Sequence, residues 1–209
     1  MGRYFTIGGA ADALLKIEGS KFLADAFPVF TDAEAEETLA SVKKRYFDAT
    51  HHCYAYALGE DRAHFRYSDD GEPSGTAGVK IYTALQAREM SDIIVIVTRY
   101  FGGTKLGVGG LGRAYHDAAE EVLARARTVQ RLPVESLTAI VDYPFVQPVM
   151  SLTHRMDAFI EHTEYTDTVT FSILVPHGAV PEFERQLADM TNGKAVVART
   201  GSRIRSVNV

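Results

Sequence analysis

Two stretches of this chain concentrate the side chains able to engage a charged partner. Thr98 to Tyr115, TRYFGGTKLGVGGLGRAY, carries six glycines (102, 103, 107, 109, 110 and 112) and the cations Arg99, Lys105 and Arg113, with no acid. Glycine gives little to a core and loses much freedom on folding, so such density belongs where backbone turns sharply or approaches something closely. Ser68 to Gly78, SDDGEPSGTAG, is of opposite sign, with Asp69, Asp70 and Glu72 around Pro73 and the hydroxyls of Ser74 and Thr76. The basic stretch leads into Leu111, Tyr115, Ala118, Ala119, Val122 and Leu123 at helical spacing. A helix N-terminus offers free N–H donors and a partial positive charge, so the helix start and the three cations together suit an anion cradle.

Gly107 to Gly112 formally satisfies G-x-G-x-x-G, but the dinucleotide fingerprint needs its first glycine directly after a strand and an acid about 20 residues on. Here roughly eight residues intervene and the later region, Gln130-Arg131-Leu132-Pro133, holds no acid, so that reading fails. No G-K-[ST] is present, which excludes a P-loop. A generic phosphate cradle survives, beside a purely structural loop in which the glycines allow tight packing. Asp69, Asp70 and Glu72 suit Mg²⁺ with a phosphate as co-ligand, but the plainer and favoured role is to form ion pairs to Arg99, Lys105 or Arg113 that fix the two loops together. The Mg²⁺ role is the weaker alternative; no metal, no cofactor and no catalytic residue is expected.

His51-His52-Cys53 holds zinc-ligand residue types, yet adjacent strand residues point to opposite faces and no second pair at metal spacing follows. Cys53 as a nucleophile would need a base and an oxyanion site that the spacing does not reveal. Tyr54, Tyr56, Tyr67 and Tyr100 have the rings to stack bases or to fill a core. The candidate anion or nucleic-acid site is therefore Arg99, Tyr100, Gly102, Gly103, Lys105, Gly107 and Arg113. The acidic loop and its neighbours add His51, Asp69, Asp70, Glu72, Ser74 and Thr76.

These residues need elements to place them. DIIVIVT, before the basic stretch, is a β-branched run of strand length without polar alternation, as expected of a strand covered on both faces. Upstream, Ala13–Ile17 and Lys21–Val29 read as a hairpin around Glu18-Gly19-Ser20. Thr31 and Glu34 have capping-box spacing for a helix running to about Phe47, with Ala35, Leu39, Val42 and Tyr46 inward. His51–Leu58 and His64–Tyr67 read as strands, and Ser74 or Thr76 is expected to cap a helix presenting Val79, Ile81, Tyr82 and Leu85. From Leu132-Pro133 onward the pattern is strand Val134–Tyr143, helix Phe145–Met156, strands Phe159–Tyr165 and Thr168–Val175, helix Val180–Met190 and strand Ala195–Ile204. That β-α-β-β-α-β order is ferredoxin-like. The fold class is α+β, with domains expected at 1–132 and 133–209.

The 209 residues are 46% apolar and 23% charged, ordinary for a globular chain, and the net charge of −5 restricts any nucleic-acid contact to a local patch. A lone cysteine, Cys53, excludes an internal disulfide and fits a reducing compartment. No apolar run nears the ~20 residues of a bilayer span, so no membrane association and a cytoplasmic location are expected.

Thr50-His51 with Cys53 and Ala55-Tyr56, then Ser68 through Gly78, then Val97 through Gly103 with Lys105-Leu106-Gly107 and Arg113-Ala114-Tyr115, resemble the signature of the YigZ/IMPACT family over nearly the whole chain. His52, Tyr54, Val108 and Gly112 stand where that family usually has Asn, Trp, Thr and a larger apolar residue. The resemblance implies an N-terminal domain like the second domain of a small-subunit ribosomal protein, also seen in elongation factor G. It implies a ferredoxin-like C-terminal domain similar to another elongation-factor module. Eukaryotic relatives restrain activation of a starvation-responsive initiation-factor kinase. The expected function is a translation-associated regulator, leaning non-catalytic, that binds RNA, the ribosome or a protein partner in translational control through the basic loop. The alternative is an enzyme or binder of a small phosphorylated ligand with a metal on the acidic loop.

Overall fold

The computed structural model describes residues 4–208, which fall into two compact units, Tyr4–Gln130 and Arg131–Val207, with Asn208 grouped with the first. The first unit runs β1 (Tyr4–Ile7), β2 (Ala11–Ile17), β3 (Ser20–Pro28), α1 (Asp32–Arg45), β4 (His51–Leu58), β5 (His64–Ser68), α2 (Gly78–Ala87), β6 (Ile93–Tyr100) and α3 (Gly107–Arg125). Its sheet has the order β2-β3-β6-β4-β5, with every neighbouring pair antiparallel. β6 lies at the centre and lacks polar alternation because both its faces are covered. Val95 and Val97 pack with Ile81 and Leu85 of α2 and Tyr115 and Val122 of α3, while Ile94 and Ile96 pack with Ala35 and Val42 of α1.

α1 starts where the capping residues place it. The Thr31 hydroxyl accepts from the Glu34 N–H at 3.2 Å, and the Glu34 carboxylate accepts from the Phe30 N–H at 2.7 Å, one residue earlier than the usual reciprocal partner. β1 was not anticipated from the sequence; it pairs with β7 (Thr128–Val141), whose first residues, Thr128–Gln130, share its unit.

The second unit continues β7 and adds α4 (Val146–Arg155), β8 (Phe159–Tyr165), β9 (Val169–Pro176), α5 (Val180–Thr191) and β10 (Val196–Asn208). Strand order β10-β7-β9-β8, with α4 and α5 packed on Leu137, Ala139, Phe171 and Ile173, is the ferredoxin-like arrangement. β7 continues through Pro133, where a new strand had been expected to begin. The ladder to β9 opens at Val134, so the missing proline N–H breaks no bond in it. Among the described residues no helix is long and apolar enough to cross a membrane.

Candidate anion-binding site

The acidic loop between β5 and α2 uses its carboxylates on its own chain. Asp69 accepts from the backbone N–H groups of Gly75 at 2.9 Å, Ala77 at 2.9 Å and Gly78 at 2.8 Å, and so caps α2 from outside the helix. This corrects the expectation for Ser74 and Thr76: the start of α2 has no capping hydroxyl, Thr76 donates to the Pro73 carbonyl at 2.6 Å, and Ser74 is exposed. Asp70 pairs with Lys43 at 2.9 Å and accepts from the His52 N–H at 2.7 Å, while its carbonyl lies 2.8 Å from His51 Nδ1. Glu72 accepts from Arg99 at 2.7 Å and from the Tyr115 hydroxyl at 2.7 Å.

These commitments occupy the carboxylates that the metal alternative would use. Each of Asp69, Asp70 and Glu72 turns to a different protein partner instead of sharing a focus, and among the described residues no three His, Cys, Asp or Glu side chains are grouped to hold a metal ion. Nucleophilic chemistry finds little support either. Burial, ahead of the nearby carboxylates, pushes the Cys53 thiol up to about 12, and the thiol donates to the Asp69 carbonyl at 3.0 Å. Burial likewise pushes the Tyr115 hydroxyl far up, with Cys53 and Glu72 adding to the effect. Both groups keep their protons at neutral pH.

The basic loop divides where β6 ends. Successive strand residues face opposite ways, so Arg99 and Tyr100 do not share a site as expected. Arg99 lies on the α3 side, its guanidinium carbon 5.5 Å from the Phe22 ring centre and 5.4 Å from that of Phe101, with side-chain exposure of only 8%. Tyr100 lies on the α1 side and donates to Asp48 at 2.7 Å. Gly102 is there for packing: a Cβ would come within 1.9 Å of the Gly19 carbonyl carbon in the β2–β3 turn. Gly103 (φ +93°) and Gly107 (φ +68°) have the left-handed backbone that steers the chain into α3.

Lys105 and Arg113 are exposed, and neither forms an ion pair or side-chain hydrogen bond with a described residue. Lys80 of α2, not singled out from the sequence, is equally unpaired, and its side chain passes beside Gly112. The start of α3 has no side-chain cap, leaving its first N–H donors for a partner. Between the two loops is a recess of about 330 Å³ with Pro73, Phe101, Leu106, Val108 and Leu111 as apolar walls, the buried Arg99–Glu72 pair and exposed Lys105. Two residues of this network escaped the sequence reading. Tyr115 entered it only as one of the helically spaced residues and as part of the Arg113-Ala114-Tyr115 signature, and Lys43 of α1 was not singled out.

Residues 18–123 match the family model of the Impact N-terminal domain, and residues 140–194 match a domain of unknown function, DUF1949. The IMPACT family member YvyE of Bacillus subtilis is 35% identical over 92% of this chain and 88% of its own length. The IMPACT family member YigZ of Escherichia coli is 33% identical over 76% and 79%. Protein IMPACT of Bos taurus is 33% identical over 42% of this chain and 29% of its own. A solved structure described only as a hypothetical protein covers 96% of this chain and 98% of that one, at 28% identity and a TM-score of 0.63.

Proposed function

Because this chain belongs to the IMPACT family, we propose that it is a non-catalytic regulator associated with translation that binds RNA, free or ribosomal, through the start of α3. The observation carrying this reading is the set of unanswered charges: Lys105 and Arg113 are exposed and unpaired among the described residues, beside an uncapped helix N-terminus, in a chain of net charge −5. Phosphate oxygens match both the free N–H groups and the two cations. The family's link to translational control gives the context. Arg99 supports the loop from beneath through Glu72 and is not among the groups facing the partner. The test is RNA binding by Lys105→Ala/Arg113→Ala, followed by fluorescence anisotropy. Affinity is expected to fall at least tenfold with the melting temperature unchanged, and equal binding by the variant overturns the reading.

The recess itself favours a second reading, a small phosphorylated ligand whose phosphate meets the α3 N-terminus while its organic part rests on Phe101 and Val108. It requires no metal. A melting shift with nucleotides or sugar phosphates in the absence of Mg²⁺ supports it, and the lack of any shift removes it.

A further inference from the structure

The β2–β3 hairpin brings two like charges together, and no described residue answers them. Lys16 and Lys21 are directly opposed in the antiparallel register, and Lys21 is in turn opposite Tyr100 of β6. The three form one row on the sheet face that α1 covers, beyond the part packed under Ala35 and Val42. Both lysines are exposed, and neither has an ion pair or side-chain hydrogen bond to a described residue. Asp48, which approaches this face, takes the Tyr100 hydroxyl. Directly opposed like charges destabilise a strand pair. The other like-charged row of the hairpin, Asp12 opposite Asp25, is relieved by Arg45 at 3.3 Å from Asp25; the lysine row has no such relief. Beside it is a recess of about 280 Å³ walled by Leu14, Leu23, Tyr46 and Tyr100.

We infer that this row is a docking surface for single-stranded nucleic acid, with backbone phosphates over Lys16 and Lys21 and an unstacked base against Tyr46 and Tyr100. The inference rests on the RNA-binding reading above and gives the partner its strandedness. A paired cationic row attracts any polyanion, but aromatic walls add binding only where a base has left its stack. The location also fits. The Gly19 turn of this hairpin touches Gly102 of the basic loop, so one strand passing over that end of the sheet meets Lys16 and Lys21 on one face and Lys105 and Arg113 on the other.

The test compares a ten-nucleotide RNA, its duplex and an abasic version of the same length by anisotropy across salt. The proteins are wild type, Lys16→Ala/Lys21→Ala, Lys105→Ala/Arg113→Ala and Lys21→Glu. The lysine-row variant is expected to bind the single strand about tenfold more weakly, and the wild type to prefer the single strand to both the duplex and the abasic chain. Lys21→Glu, which places opposite charges across the hairpin, is expected to melt higher while binding less, a combination that a purely structural lysine would not produce. If the lysine-row variant binds like wild type while the loop variant fails, this inference is overturned and the functional reading stands. If wild type binds none of the three nucleic acids, both fall. Equal displacement by polyglutamate and by an RNA of the same charge, or a lower melting temperature for Lys21→Glu, also overturns the docking surface.

Discussion

Glu72 shows how a residue that looks available in sequence is occupied in the fold. With side-chain exposures of 4% for Glu72 and 8% for Arg99, this is a buried pair, and removing one partner strands the other charge. Glu72→Gln is expected to lower stability by about 3 kcal/mol in urea unfolding, and Asp70→Asn, whose partner Lys43 is half exposed, by about 1 kcal/mol or less. Cys53, with its thiol pushed up to about 12 by burial, is expected to resist iodoacetamide at pH 8 until the chain unfolds, as mass spectrometry would show. Asp25 gives a pH prediction of definite sign. Burial, partly offset by Arg45 and reinforced by Asp12, raises its carboxyl above the ordinary 3.8, and one carboxylate oxygen lacks a hydrogen bond. A carboxyl raised in this way holds its proton more tightly folded than unfolded. Its penalty is therefore full at neutral pH and shrinks as the pH falls through the folded value towards 3.8. Asp25→Asn is expected to be more stable than wild type at pH 7 and to lose that advantage near pH 3, measured by urea unfolding at both.

Elements were more legible than the contacts between them. The capping box at Thr31 and Glu34 and the unalternating β6 are written in neighbouring residues, and local pattern suffices to read them. Three features were not local. The Asp69 cap reaches six to nine residues ahead to Gly75, Ala77 and Gly78, and no short motif records that. β1 has four residues, too few to show a period, and β7 passes through a proline that ordinarily signals a break. The separation of Arg99 from Tyr100 was available from strand alternation alone, but the density of charge and glycine around them drew both into one group. The cap implies that Asp69→Ala destabilises by about 2 kcal/mol, the upper end for a lost N-cap, whereas Ser74→Ala stays within about 0.5 kcal/mol. Denaturant midpoints of the two variants, compared side by side, decide whether α2 is held from Asp69 or from the hydroxyls.

At the scale of the whole molecule, a net charge of −5 repels a polyanion, so binding must depend on the few cations that no acid neutralises. Arg99 does not count among them, since Glu72 neutralises it within the fold, while Lys16, Lys21, Lys105 and Arg113 do. Each phosphate neutralised on a single strand contributes about −0.7 to the slope of log K against log salt, so four contacts give a wild-type slope of about −3. Lys105→Ala/Arg113→Ala is expected to reduce that slope to about −1.4, and Lys16→Ala/Lys21→Ala to a similar value. Arg99→Ala is expected to lose stability while leaving the slope of the remaining folded protein near that of wild type. A slope that instead followed Arg99 and ignored Lys105 and Arg113 would mean that the Glu72 pair opens on binding, and the cation that looks structural would become the one that meets the phosphate.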